Sequence, residues 1–170
     1  MTRLPELGRR LNESAVRFVV IGVAGANLWA LGGGSVFTTE DFDVFLPLNP
    51  ENLLRTWQAC ESMGLSLWCG PEPLDVPRDR FVADAVVSRR AAVQATDGEG
   101  FDVDLTLVMA GFDFEAVWRD RREFVVEGVA IPVARLRHIV QSKTLLGRDK
   151  DRLFLATHAD ALERLFPTDD

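Results

Sequence analysis

Two short stretches carry acids at alternate positions, and any fold this chain adopts must accommodate them. The first is Thr39-Glu40-Asp41-Phe42-Asp43-Val44-Phe45-Leu46. With the two-residue period of a strand, Asp41 and Asp43 share one face, and Phe42, Val44 and Leu46 the other. The second, Phe101-Asp102-Val103-Asp104-Leu105-Thr106-Leu107, repeats the pattern. Asp102, Asp104 and Thr106 fall on one side, with Phe101, Val103, Leu105 and Leu107 opposite. Two carboxylates about 7 Å apart along one strand are costly without a cation or donors between them. Two core-packed strands with acids on one face therefore suggest a shared carboxylate cluster, the kind of site that hard divalent cations bind.

The rest of the composition sets outer limits. A chain of 170 residues, 47% hydrophobic and 26% charged, can bury a sizeable core and reads as one globular domain over 1–170. Cys60 and Cys69 give neither metal-ligand spacing nor a disulfide framework, so a reduced, cytoplasmic home is the default. No run approaches the roughly 18 apolar residues of a membrane span, and the opening MTRLPELGRR has no apolar signal core. A formal charge of -7 and a pI near 4.9 argue against a general nucleic-acid coat. That charge is unevenly spread. Between Arg119 and Arg152 nine basic residues meet five acidic ones, a net +4 that leaves -11 elsewhere. Folding could set the basic segment against the acidic strands.

In chain order, Leu4, Leu7 and Leu11 have helical spacing, with Pro5 suited to a first turn. Val16 to Ile21 reads as a buried strand ending at Gly22, and Val23 to Leu31 as a short helix. Strand, glycine and helix together form a candidate anion site, because free N–H groups point out of a helix start. Gly32 to Gly34 break the chain before the acidic strand. Asn49 caps a helix that starts at Pro50 and runs to Met63, with Leu53, Leu54, Trp57 and Cys60 inward. Leu65 to Cys69 reads as a short strand, Gly70 to Pro77 as a proline-rich loop, and Asp79 to Ser88 as a helix. Ala91 to Thr96 and Phe101 to Val108 form a hairpin, so the second acidic strand is antiparallel to that neighbour. Phe112 to Arg119 is a short helix, and Phe124 to Val126 with Ala130 to Val133 a smaller hairpin. Two helices, Ala134 to Leu146 and Lys150 to Phe166, finish the chain.

The first of those helices holds a second informative residue. Leu136, Ile139 and Val140 form an apolar stripe whose next position is Lys143. A lysine on such a stripe snorkels or finds an anion. The chain has seventeen arginines and two lysines, and both lysines, Lys143 and Lys150, lie within nine residues of Ser142. A compact ammonium suits a phosphate as a point charge.

In order, these residues are a strand and Gly22, a short helix, Thr39-x-Asp41-x-Asp43, Asp104-Leu105, Ser142-Lys143, and Gly147-Arg148-x-Lys150-Asp151. From about Phe18 to Leu155 the chain resembles the nucleotidyltransferase superfamily, in particular the small bacterial group of abortive-infection toxin and antibiotic nucleotidyltransferases. The resemblance implies that Asp41, Asp43 and Asp104 bind Mg2+ (or Mn2+), and that Gly22, Thr39, Lys143 and Lys150 contact the nucleotide. It also implies an NTP donor and brings in a possible antitoxin partner. The acceptor stays open between an RNA end, a protein side chain and a small molecule. Where the family has Gly-Gly or Gly-Ser at the turn, this chain has Gly22-Val23, and its path on to Asp41 is longer. Gly25-Ala26 and Gly34-Ser35 are alternative points of close approach.

Bland readings stand beside these. The acidic faces could be solvated, and Asp102 is the same-face alternative to Asp104. Gly22 could be an ordinary turn, and Thr39 could only start its strand. Arg148, Lys150 and Asp151 could be a helix-start charge cluster. His138 and His158 read as structural, Trp29 and Trp57 as core. The expected architecture is an α+β domain, its mixed sheet packed against helices and its carboxylates at an open edge. The expected activity is metal-dependent transfer of a nucleoside monophosphate from an NTP, releasing pyrophosphate. A catalytically degenerate binding module of the same fold, or a phosphodiester hydrolase, is the alternative.

Overall fold

The computed structural model describes residues 3–30 and 41–169; Thr39 and the Gly34-Ser35 pair lie outside them. The first helix, α1 (Leu4–Glu13), has Pro5 in its first turn and buries Leu4, Leu7 and Leu11. Next comes β1 (Val19–Ile21), shorter than the predicted Val16 to Ile21. The reason is a side chain from α3 (Pro50–Ser62). The buried Asn52 amide accepts the Arg17 N–H at 2.8 Å and donates to the Arg17 carbonyl at 3.0 Å, so neither backbone group is left for a ladder.

After β1 come α2 (Gly22–Ala30), β2 (Asp41–Phe45) and α3 (Pro50–Ser62). The predicted cap is present, with Asn49 Oδ1 accepting the Asn52 N–H at 3.0 Å, an arrangement worth about 1 kcal/mol. Leu53, Trp57 and Cys60 are fully buried on its inner face, while Leu54 is only partly so. The chain continues through β3 (Ser66–Cys69), β4 (Glu72–Pro73), α4 (Arg80–Arg89), β5 (Val93–Thr96) and β6 (Asp102–Thr106). Then follow α5 (Phe114–Asp120), β7 (Arg122–Val126), β8 (Val129–Val133), α6 (Leu136–Leu146), α7 (Asp149–Thr157) and α8 (Ala159–Leu165), closed by a 3-10 turn over Phe166–Asp169.

The eight strands of the described residues form one sheet in the order β4-β3-β5-β6-β2-β1-β8-β7. The pairs β2/β6 and β1/β8 are parallel and the others antiparallel, so the sheet is mixed. The antiparallel β5/β6 hairpin is as predicted. Register sets Asp41 beside Asp102, Asp43 beside Asp104 and Phe45 beside Thr106, so all the acids share a face. Behind them Phe42, Val44, Val103 and Leu105 are buried in the core. Trp29 and Trp57 are buried there too.

Three features differ from the sequence reading. The acidic strands β2 and β6 are the two central strands, not an open edge. The β2 strand pairs with β1 on one side and β6 on the other, and β6 pairs on with β5, so neither acidic strand has a free edge. Part of the proline-rich loop forms β4, which pairs with β3. The single final helix is two helices meeting at His158, whose backbone (φ -109, ψ 16) leaves the helical region. Its break lets Leu162 and Leu165 turn into the core. Among the described residues, no helix is long and apolar enough to cross a membrane.

Candidate active site

The site grows from the end of β1. Ile21 pairs with Asp43, and the next residue, Gly22, has φ +67° and starts α2. A Cβ at Gly22 would overlap Asp43 Oδ2. Glycine is therefore demanded twice, by the left-handed backbone and by the close approach of a carboxylate. The alternative point, Gly25, serves packing: a Cβ there would lie 2.9 Å from Ile139 Cδ1 and 3.1 Å from the Val20 carbonyl oxygen. Val23 packs on the core, and it is Gly22 that lines the neighbouring cleft.

That cleft has a volume of about 500 Å³. Asp43, Asp104 and Gly22 form one wall; Ser142, Lys143 and Lys150, with Arg148, form the other. The basic late segment thus faces the acidic strands.

On the acidic wall, Asp43 and Asp104 share a hydrogen bond. Burial pushes the Asp43 carboxyl up to about 6, and the neighbouring Asp104 and Asp41 charges add to that, opposed by Lys143. Asp104 is also raised, by burial and by Asp41, with Lys150 opposing. Both carboxyls are thus harder to ionise than an exposed aspartate, as expected of two acids set side by side. Asp102 is occupied differently, accepting the Thr96 hydroxyl beside Asp41. Of the two same-face acids, Asp104 is the one that meets Asp43. Asp41 is partly exposed, and its charge acts on both.

The cationic wall is organised around Asp151, whose side chain is 1% exposed. Arg148 grips it with two bonds, Nε to Oδ2 at 2.6 Å and Nη2 to Oδ1 at 3.1 Å, and Lys143 Nζ lies 3.5 Å from Oδ1. Burial opposes ionisation of Asp151, but Arg148 and Lys143 outweigh it and hold the carboxyl below the usual range. The Lys143 ammonium also sits 4.8 Å from the Phe154 ring centroid. The anion that a lysine on this stripe must find is therefore partly internal. Lys150 is exposed in the first turn of α7, at the cleft.

Gly22, Asp43, Asp104, Lys143 and Lys150 thus converge, with Asp41 beside them, and Thr39 falls outside the described residues. Two cleft residues have faint sequence signals. Arg148 and Ser142 stand only within the motifs that carry the resemblance, with no role assigned to either. The histidines do not line the cleft: His138 meets the Phe112 ring in a tilted contact at 4.7 Å, and His158 ends α7.

Among the described residues, no group of three or more His, Cys, Asp or Glu side chains is arranged as a ready metal cage. The donor chemistry nevertheless suits a hard divalent ion: two adjacent carboxylates, each harder to ionise than usual, with a third acid alongside.

No protein-family model and no curated protein matches the chain. Among solved structures it is similar to the antibiotic-resistance factor ANT(2'')-Ia, whose solution structure reveals substrate-regulated conformation dynamics. The TM-score is 0.52 and the identity 16%, over 98% of this chain and 91% of that one. At that identity the likeness establishes the fold alone, an α+β arrangement of a mixed sheet with helices packed against it.

Proposed function

We propose that this protein is a nucleotidyltransferase that moves a nucleoside monophosphate from an NTP to an acceptor hydroxyl and releases pyrophosphate. The observation that carries this reading is the Asp43–Asp104 pair, set by register on central strands and facing a cationic wall across one cleft. Asp41, Asp43 and Asp104 would hold Mg2+ or Mn2+, which when bound lowers the pKa of the attacking hydroxyl and offsets phosphate charge. Asp104 accepts the proton that the acceptor loses. Gly22 leaves room for the donor at the start of α2, whose N–H groups suit a phosphate. Lys143 and Lys150 bring positive charge to the departing pyrophosphate, and Thr39 belongs with the phosphate contacts. In the balanced reaction, the acceptor oxygen bonds to the α-phosphorus and the bond from that phosphorus to the bridging oxygen breaks.

The acceptor class is an RNA end, a protein side chain or a small molecule, and an antitoxin partner follows from the same family resemblance. The test is the fate of an α-phosphate label in cell extract. We expect pyrophosphate release that requires a divalent cation, with the label retained on an acceptor and lost in Asp104→Ala. Label found only as free nucleoside monophosphate would make the protein a hydrolase. Tight NTP binding without turnover would make it a degenerate binding module.

A further inference from the structure

The α6 wall contains a hydroxyl that neither the fold nor the roles above employ. Ser142 lines the cleft together with Ile139, one turn earlier, and Leu146, one turn later. It is 7% exposed, and its hydroxyl has no hydrogen-bond partner among the described residues. A helical serine or threonine commonly returns its hydroxyl to the carbonyl four residues back. Thr144 does so, to Val140 at 2.9 Å, and Ser142 makes no such bond to His138. The Ser142 oxygen is not one of the sealed, unpartnered polar atoms of the core, so its hydroxyl opens to the cleft, where packing gains nothing from it and alanine has the better helix propensity. The hydroxyl is therefore a poor choice for packing and a good one for a ligand in the cleft.

We propose that Ser142 is a phosphate-binding residue whose hydroxyl donates a hydrogen bond to a non-bridging oxygen of the triphosphate, beside Lys143. This assignment rests on the nucleotide reading above. Phosphate is favoured over base or sugar because Lys143, Arg148 and Lys150 share the cleft and draw an anion to this wall. The adjacent Ile139 and Leu146 side chains offer no second polar group to read a base edge. The two neighbours divide the work: Lys143 supplies charge already tempered by Asp151, and Ser142 supplies direction.

Isothermal titration with inorganic tripolyphosphate and with ATP, each with Mg2+, on the parent, Ser142→Ala and Lys143→Met tests the assignment. Ser142→Ala should weaken both probes by the same factor, about tenfold, as for one hydrogen bond to a charged group. Its Tm should stay level or rise, because alanine has the better helix propensity. Unchanged affinity in Ser142→Ala with weakened binding in Lys143→Met would overturn the serine assignment and leave the nucleotide reading standing. ATP weakened with tripolyphosphate unchanged would move the hydroxyl to the nucleoside and overturn it as well. If the parent binds neither probe, both the assignment and the nucleotide reading fall.

Discussion

The two walls of the cleft solve the problem of buried charge in opposite ways. On α6 and α7, the buried Asp151 is met by Arg148 and Lys143, and its carboxyl is held below the usual range. On β2 and β6, two carboxylates are pressed together by register, and Asp43 is pushed up to about 6. One wall is internally satisfied. The other keeps its strain until something positive arrives, a proton or, on the reading proposed above, a divalent cation. On that reading the strained wall does the bond-making chemistry, and the internally satisfied one holds the phosphates.

The largest effect that would sharpen this contrast comes from Gly22. Gly22→Ala puts a Cβ into Asp43 Oδ2 on a left-handed backbone. We expect turnover to fall about 10²-fold or more, as displaced catalytic groups do, with a stability loss of roughly 1–3 kcal/mol. Activity assay and thermal unfolding of the same sample would check both. Near-parental turnover would mean that Asp43 need not sit where it does.

Asp151→Asn and Asp43→Asn form the next pair. Removing the Asp151 charge leaves Lys143 and Arg148 without their buried partner and should cost roughly 3 kcal/mol, measured by denaturant unfolding. Asp43→Asn relieves a like-charge contact and should leave stability at pH 7 unchanged or slightly higher. Equal losses in the two variants would erase the distinction between the walls.

The pH dependence of stability follows with its signs reversed between the walls. Asp43 is raised from 3.8 to about 6 in the folded state. The folded protein therefore holds that proton more tightly, and stability contributed below pH 4 is lost as pH rises through 6. The loss is on the order of 2–3 kcal/mol, and Asp43→Asn should flatten it. Asp151 is lowered, so its contribution is complete above its unfolded value and disappears as pH falls through the folded one. Unfolding curves at intervals from pH 3 to 8 would separate the two limbs.

The smallest effect belongs to Lys150. It is exposed, so Lys150→Gln should weaken NTP binding only a few-fold at physiological salt and more at low salt. A large, salt-independent loss would show that Lys150 is buried against substrate in the complex.

Much of this was legible in the sequence because strand alternation is a local signal. Asp41, Asp43 and Asp104 were placed by a two-residue period with an apolar back, and Lys143 by its position on a helical stripe. Long-range choices were less legible. That β2 and β6 occupy the centre of the sheet depends on pairing partners far away in sequence. That the first strand starts only after Arg17 depends on Asn52, thirty-five residues later. The break at His158 has no glycine or proline to mark it. The burial of Asp151 could not be read from a run of surface-like charges, and only packing of α7 on α6 reveals it. Thr39 lies outside the described residues, so its part rests on the sequence alone.

The measurement that tests the account most directly is proton release on binding Mn2+. Calorimetric titration at pH 5.5 in two buffers of different ionisation enthalpy reports protons displaced per ion bound. If Asp43 and Asp104 share a proton that a cation replaces, the parent should release roughly one proton per first ion bound, and Asp43→Asn close to none. Mn2+ binding with no proton release, or the same release in both proteins, would contradict the claim that this carboxylate pair is the cation site.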